Sequence, residues 1–257
     1  MKKQDGSSIQ QTLEFATQHY RDLQTPTGTK LIDHCKNVAY QSETIAQKLY
    51  QDIRADYLPD DTKESIASII QAALLHDVLN VSACAFEHIA ETTTVQIAAM
   101  VADISRDFRL VETKRDMEFR GRLSQSPVGA QIVVVADILC TAKDILTMLK
   151  TSGMPSVPKA KKMLTQLDGD LLAIHAASRY YILRLYVHAA RNLLSDISQT
   201  IKDCRQKAKF DKFVSQYTTG IRASAAEAEK AEKAKPVPSK KKKDVRYARK
   251  RSVDKDS

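Results

Sequence analysis

The sequence predicts an all-α protein, and three observations carry that expectation. Apolar residues recur at intervals of three and four along most of the chain, which is the spacing of one face of a helix. Gly and Pro number only 7 each in 257 residues, too few for a collagen-like or generally low-complexity chain. The aromatic complement of 9 Tyr and 6 Phe with no Trp argues against a β-sandwich. At 43% hydrophobic residues the chain can bury a sizeable core, and its length suits one large domain or two small ones.

Taken in order, Ile9, Leu13, Ala16, Tyr20 and Leu23 place an amphipathic helix over residues 8–23, followed by a loop from Gln24 to Gly28 that contains Pro26. Cys35, Val38, Ala39, Ser42, Ile45, Ala46 and Leu49 mark a second helix over 31–50. Leu58, Pro59, Asp60 and Asp61 interrupt the pattern. Asp61 with Glu64 three residues later is a capping box for a third helix. That helix buries Ile66, Ile69, Ile70, Ala73 and Leu74 and ends in Leu75-His76-Asp77. Phe86–Ala90 and Val95–Arg106 read as two more helices, and residues 107–125 as a charged, exposed stretch.

Ser126 followed by Pro127 is a helix-start signal. The stripe behind it runs through Ile132, Val135, Ala136, Leu139, Ala142, Leu146 and Leu149 until Gly153 and Pro155 stop it. A new start at Pro158 leads into Leu183, Tyr186, Val187, Ala190, Leu193, Leu194, Ile197, Ile201 and Cys204, expected to pack on the first module as a hairpin or cap. Phe210, Phe213, Tyr217 and Ile221 extend the pattern weakly. From Ala225 charge replaces large apolar residues, the composition of a solvated helix running into a disordered tail. The expected organisation is a module over 1–150, C-terminal helices over 151–224 and a basic tail over 225–257.

The net charge of +9 is local. Residues 230–257 hold 12 Lys or Arg and 4 Asp or Glu, leaving 28 against 27 in residues 1–229. Lys240 to Lys243, Arg246, Arg249, Lys250 and Arg251 could contact RNA or DNA non-specifically, serve as a nuclear address, or simply solvate the terminus. Cys35, Cys84, Cys140 and Cys204 form no CxxC pair and read as core residues. No stretch has the apolar length of a membrane span, and the opening MKKQDGSSIQ lacks the apolar core of a signal peptide, so a cytoplasmic chain is expected.

His76-Asp77 at the end of an apolar helix is hard to explain as packing, because a buried Asp needs a partner. His34 and Asp137 also sit inside apolar stripes. Two imidazoles and two carboxylates suit a divalent cation such as Mn²⁺, Fe²⁺, Zn²⁺ or Mg²⁺. On the residues alone, a lone buried His or Asp is more often a hydrogen-bonded structural residue than a ligand.

In order and context these residues resemble the HD superfamily of metal-dependent phosphohydrolases, specifically the hydrolase domain of RelA/SpoT-type (p)ppGpp enzymes, over roughly residues 10–150. The matching segments are Leu13-Glu-Phe-Ala-Thr-Gln-His19, Gly28 six residues before His34, and Ala72-Ala-Leu-Leu-His-Asp-Val78. They continue through Phe86-Glu-His-Ile89, Val101 and Ile104-Ser-Arg106 to Ser126-Pro-Val-Gly-Ala-Gln-Ile-Val-Val-Val-Ala-Asp137. The resemblance implies an HD-domain helical bundle. It also implies that His34, His76, Asp77 and Asp137 hold one divalent cation, commonly manganese in this branch, and that the chain hydrolyses a phosphoester or diphosphate of a nucleotide or nucleotide-like substrate.

The chain departs from the pattern at three places. Asn80-Val81 stands where the family carries Glu-Asp; Asn cannot act as a general base and could only orient a water. Thr25-Pro26-Thr27 replaces the family's basic Arg-Lys-Ser before the glycine. Thr141 replaces an Asn four residues after the last Asp, leaving Thr141 and Lys143 as candidate substrate contacts. His19 could line the cleft or make a structural hydrogen bond, whereas His88, His175 and His188 read as core-edge or surface residues. Residues 150–220 lack the alternating strands of a synthetase domain. Three functions follow as expectations: an HD-type phosphohydrolase, a degenerate relative that signals by binding metal or nucleotide, and a nucleic-acid-associated protein acting through its tail.

Overall fold

In the computed structural model the described residues are 4–52 and 64–233, and no strand occurs among them. The helices are α1 (Gln4–His19), α2 (Leu31–Asp52), α3 (Ile66–Leu75), α4 (Val78–Val81), α5 (Phe86–Thr92), α6 (Val95–Ile104), α7 (Glu112–Leu123), α8 (Val128–Ser152), α9 (Val157–Ala177) and α10 (Tyr181–Lys233). The chain divides into two units, Met1–Ala208 and Lys209–Ser257.

The first unit is built around α8. Every residue from Val128 to Ala136 is buried, so this helix has no solvent side over its first two turns and more. Its run Val133-Val-Val135 has the branched side chains that favour strands, and burial among other helices overrides that preference. α2 packs on α3 and α8, α6 also meets both, α1 lies on α3, and α9 lies on α7 and α8. The stripe read from the sequence is the contact face of α2: Cys35, Val38, Ile45, Ala46 and Leu49 are fully buried. In α10, Leu183, Val187, Ala190 and Ile197 are likewise fully buried.

Several local expectations shift. α1 ends at His19, and Tyr20, only 1% exposed, reaches the core from the turn that follows. The break at Leu58–Asp61 and the Asp61 cap lie outside the described residues; Ser65 is the N-cap of α3, its Oγ accepting from Ser68 N at 3.0 Å. The stretch 107–125 is not simply exposed, because α7 turns Phe119 and Leu123 inward. All four cysteines are free, and three are buried.

The loop between α1 and α2 is closed by an antiparallel bridge between Gln24 and Lys30. Its turn needs Gly28, whose φ of 95° suits a residue without Cβ. In the second unit, the described residues 209–233 continue α10, so the charged stretch from Ala225 to Lys233 is helical. The remainder of the tail, including Lys240 to Lys243, lies outside the described residues. No helix among the described residues is long and apolar enough to cross a membrane.

Candidate metal centre

Three helices bring their chemistry to one cavity of about 370 Å³. α2 contributes His34, the C-terminal end of α3 contributes His76, and α8 contributes Asp137; one ligand atom from each lies within 4.8 Å of the others. His34 and Asp137 are 103 residues apart, and His34 Nε2 is 3.0 Å from Asp137 Oδ1. The imidazole rings of His34 and His76 stand 5.6 Å apart.

Local folding sets the ring of His76. It is the C-cap of α3, and its Nδ1 is 2.8 Å from the carbonyl oxygen of Ala73, one turn earlier. That carbonyl can only accept, so Nδ1 carries the proton and donates it. Nε2 is left facing two carboxylates, Asp77 Oδ2 at 3.4 Å and Asp137 Oδ1 at 3.9 Å. Asp77 is the N-cap residue of α4, and its Oδ1 accepts from Asn80 Nδ2 at 3.4 Å. Behind His76 the Cys35 thiol is fully buried, and burial pushes its pKa up.

The electrostatics express a site rich in negative charge. Burial by itself would depress both histidines. At His34, the hydrogen bond to Asp137 and the nearby carboxylate of Asp144 overcome burial and raise the pKa to about 10. At His76, the charge of Asp77 leads the groups that do the same, again to about 10. Burial pushes Asp137 up, but the His34 hydrogen bond and the charges of both histidines bring it down to about 2. Protons on the imidazoles thus offset the carboxylates, a task a divalent cation can also perform.

Of the other residues singled out from the sequence, Asn80, Val81 and Thr141 line the cavity. Thr141 Oγ1 donates to Asp137 Oδ1 at 3.1 Å, so it holds that carboxylate in place. Lys143 is exposed and is not brought to the cavity. His19 stacks on Phe15 at 4.4 Å, His88 Nδ1 accepts from Ala85 N at 3.3 Å, and His175 pairs edge-on with His188.

Sequence reasoning missed several lining residues. Asp144 places Oδ2 3.5 Å from His34 Nδ1 and accepts from Thr29 Oγ1 at 3.2 Å. Its signal was available, since Asp137, Thr141 and Asp144 follow the i, i+4, i+7 spacing of one helix face. Other lining residues, Arg106, Phe108, Arg115, Phe119, Gln166 and Asp170, gave no such sign. Arg106 bonds Asp116 at 2.7 Å and also pairs with Asp170, while its guanidinium stacks 4.0 Å from the Phe119 ring centre. Arg120 Nε reaches the other oxygen of Asp170 at 3.1 Å.

No protein-family model matches the chain, and no curated protein matches it in sequence. Among solved structures, it is similar to a metazoan ortholog of SpoT, a protein described as hydrolysing ppGpp and playing a role in starvation responses. That match has a TM-score of 0.54 at 18% identity and covers 72% of this chain and 93% of the other. The chain therefore shares the all-helical fold of that protein, in keeping with the helical bundle expected from the sequence.

Proposed function

We propose that this chain is a metal-dependent phosphohydrolase of the HD type, acting on a nucleotide or nucleotide-like phosphate. The observation that supports this most is the ring of His76. With its Nδ1 proton committed to the Ala73 carbonyl, Nε2 is the atom that faces Asp77, Asp137 and the neighbouring His34, and a cation that displaced its proton would find its lone pair there. A hydrogen bond of this kind behind a ligand atom is how proteins orient histidines toward metals.

His34, His76, Asp77 and Asp137 would hold the cation, with Mn²⁺ favoured by the family resemblance and Fe²⁺, Zn²⁺ and Mg²⁺ as other candidates. Such a cation supplies Lewis acidity and a bound water of lowered pKa. The chain's own residues do the rest. Thr141 fixes Asp137, and Asp144 faces the far nitrogen of His34 and steadies its ring. Asn80, which lines the cavity, would orient a water through its amide without taking a proton. In this reading the protein works in the cytoplasm, and (p)ppGpp belongs among its test substrates.

A second reading, binding without turnover, is favoured by Val81. It lines the cavity and is 41% exposed where the related enzymes carry a carboxylate. The basic tail lies largely outside the described residues, and nothing in the described structure supports nucleic-acid contact.

The deciding experiment measures metal in the purified chain by elemental mass spectrometry, alongside hydrolysis of (p)ppGpp and a nucleotide panel. About one metal ion per chain is expected, lost together with activity in His76→Ala/Asp77→Ala. A metal-free parent under manganese supplementation would overturn the proposal, whereas metal without turnover would favour the binding reading.

A further inference from the structure

Within the second unit, residues 209–233 of α10 carry an apolar stripe distinct from the one that enters the core. Upstream, Leu183, Val187, Ala190, Leu194, Ile197 and Ile201 follow one another at alternating steps of four and three, and all are buried. Continued, that pattern would reach Cys204, Ala208 and Asp211, but the apolar sequence restarts in a new register at Phe210. Steps of four, three and four then lead from Phe210 to Val214, Tyr217 and Ile221. The alternation continues through Ser224, Ala228 and Ala231, small residues at which two helices can approach closely. Every described residue from Lys209 to Gln216 is exposed, Phe210 at 65% and Val214 at 39%.

The spacing points to a second helix as the occupant. A mean repeat of about 3.5 residues keeps a narrow seam facing a helix that supercoils around it, whereas a helix lying on a globular surface needs a wider face. Val214 and Ile221 alternate with Phe210 and Tyr217, so they take the seam position at which β-branched residues suit two-stranded coils. The segment extends over about three and a half heptads, the length at which such a repeat becomes meaningful. It is also self-compatible in charge. Residues 209–233 hold five basic and four acidic residues, so two copies meet with little net repulsion, unlike the run Lys240 to Lys243.

We infer that residues 209–233 of α10 are a self-association element, pairing with the same segment of a second copy of this chain as a two-stranded coiled coil. The inference is independent of the chemistry proposed for the metal centre, since none of these residues lines that cavity.

The test is sedimentation equilibrium of the full chain, from micromolar to several hundred micromolar, for the parent, Phe210→Glu/Val214→Glu and Ser215→Glu/Thr219→Glu. Both double variants place two glutamates four residues apart at exposed positions and change the charge equally, but only the first alters the stripe. Glu is a good helix former, so neither substitution by itself breaks α10. The parent is expected at twice the 28.7 kDa of one chain. The stripe variant should dissociate at least about a hundredfold more readily, because the seam would bury unpaired carboxylates from both copies. The Ser215→Glu/Thr219→Glu variant should stay close to the parent. A monomeric parent at every concentration, a mass above two chains, or equal weakening in both variants would overturn the inference, as would a stripe variant that dimerises like the parent.

Discussion

Asp170→Ala should destabilise the first unit by about 3 kcal/mol, the lower end of the cost of removing one partner from a buried ion pair. The Asp170 side chain is 3% exposed and serves two guanidiniums, Arg106 at 12% exposure and Arg120 at 31%. Arg106 dominates the cost because little water can reach it once its partner is gone. The lower end applies because Arg106 keeps Asp116 at 2.7 Å and its stacking on Phe119. Arg120 adds little, since a pair that exposed is worth up to about 1 kcal/mol. For a unit of this size the loss corresponds to a fall in Tm of roughly 6 to 12 °C. Calorimetric or dichroism melts of Asp170→Ala and Arg106→Met/Asp170→Leu would measure it. The double variant should lose less than the single one, because it removes the stranded charge along with its partner. A single variant within about 1 kcal/mol of the parent, or a double variant that loses as much as the single one or more, would refute this account of the ion pairs.

Other expectations follow from the proposed metal site. Asp144→Ala should weaken manganese affinity by about ten- to a hundredfold, as removal of a carboxylate behind a ligand histidine does, and Asp144→Asn should recover part of it. Titration of the metal-stripped chain reads this directly, and an unchanged dissociation constant in Asp144→Ala would exclude a supporting role. Asn80→Glu/Val81→Asp should raise phosphohydrolase turnover by about 10² to 10⁴-fold if the missing general base limits the rate. No gain in a variant that still holds its metal would show that another group already performs the proton transfer.

The helices and much of the histidine and aspartate cluster were legible in the sequence for a simple reason. An apolar stripe is a local, periodic property, and Cys35, Val38, Ile45 and Leu49 on α2 mark their own contact face. A His or Asp interrupting such a stripe also declares itself, because a polar group in the core demands a partner. Thus His34, His76, Asp77 and Asp137 could be singled out before any contact between them was known. Amphipathic spacing was less informative where burial is complete, as at Val133-Val-Val135, or where polar residues dominate, as in α7 with its inward Phe119 and Leu123.

What the sequence by itself determined, then, is the all-helical class, the order of the main stripes and the polar interruptions within them. Which interruptions meet was decided only by tertiary structure: α2, the end of α3 and α8 had to cross before Nε2 of His34 could lie 3.0 Å from Asp137. The arginine-bearing part of the lining depended on folding still more completely. Nothing local distinguishes Arg115, whose guanidinium lies over Phe108, from Arg106, held by Asp116 and Asp170, since both are single arginines in a charged stretch. Their difference is a matter of which carboxylates α7 and α9 bring within reach, and charge pairing across helices has no periodic signature in the chain.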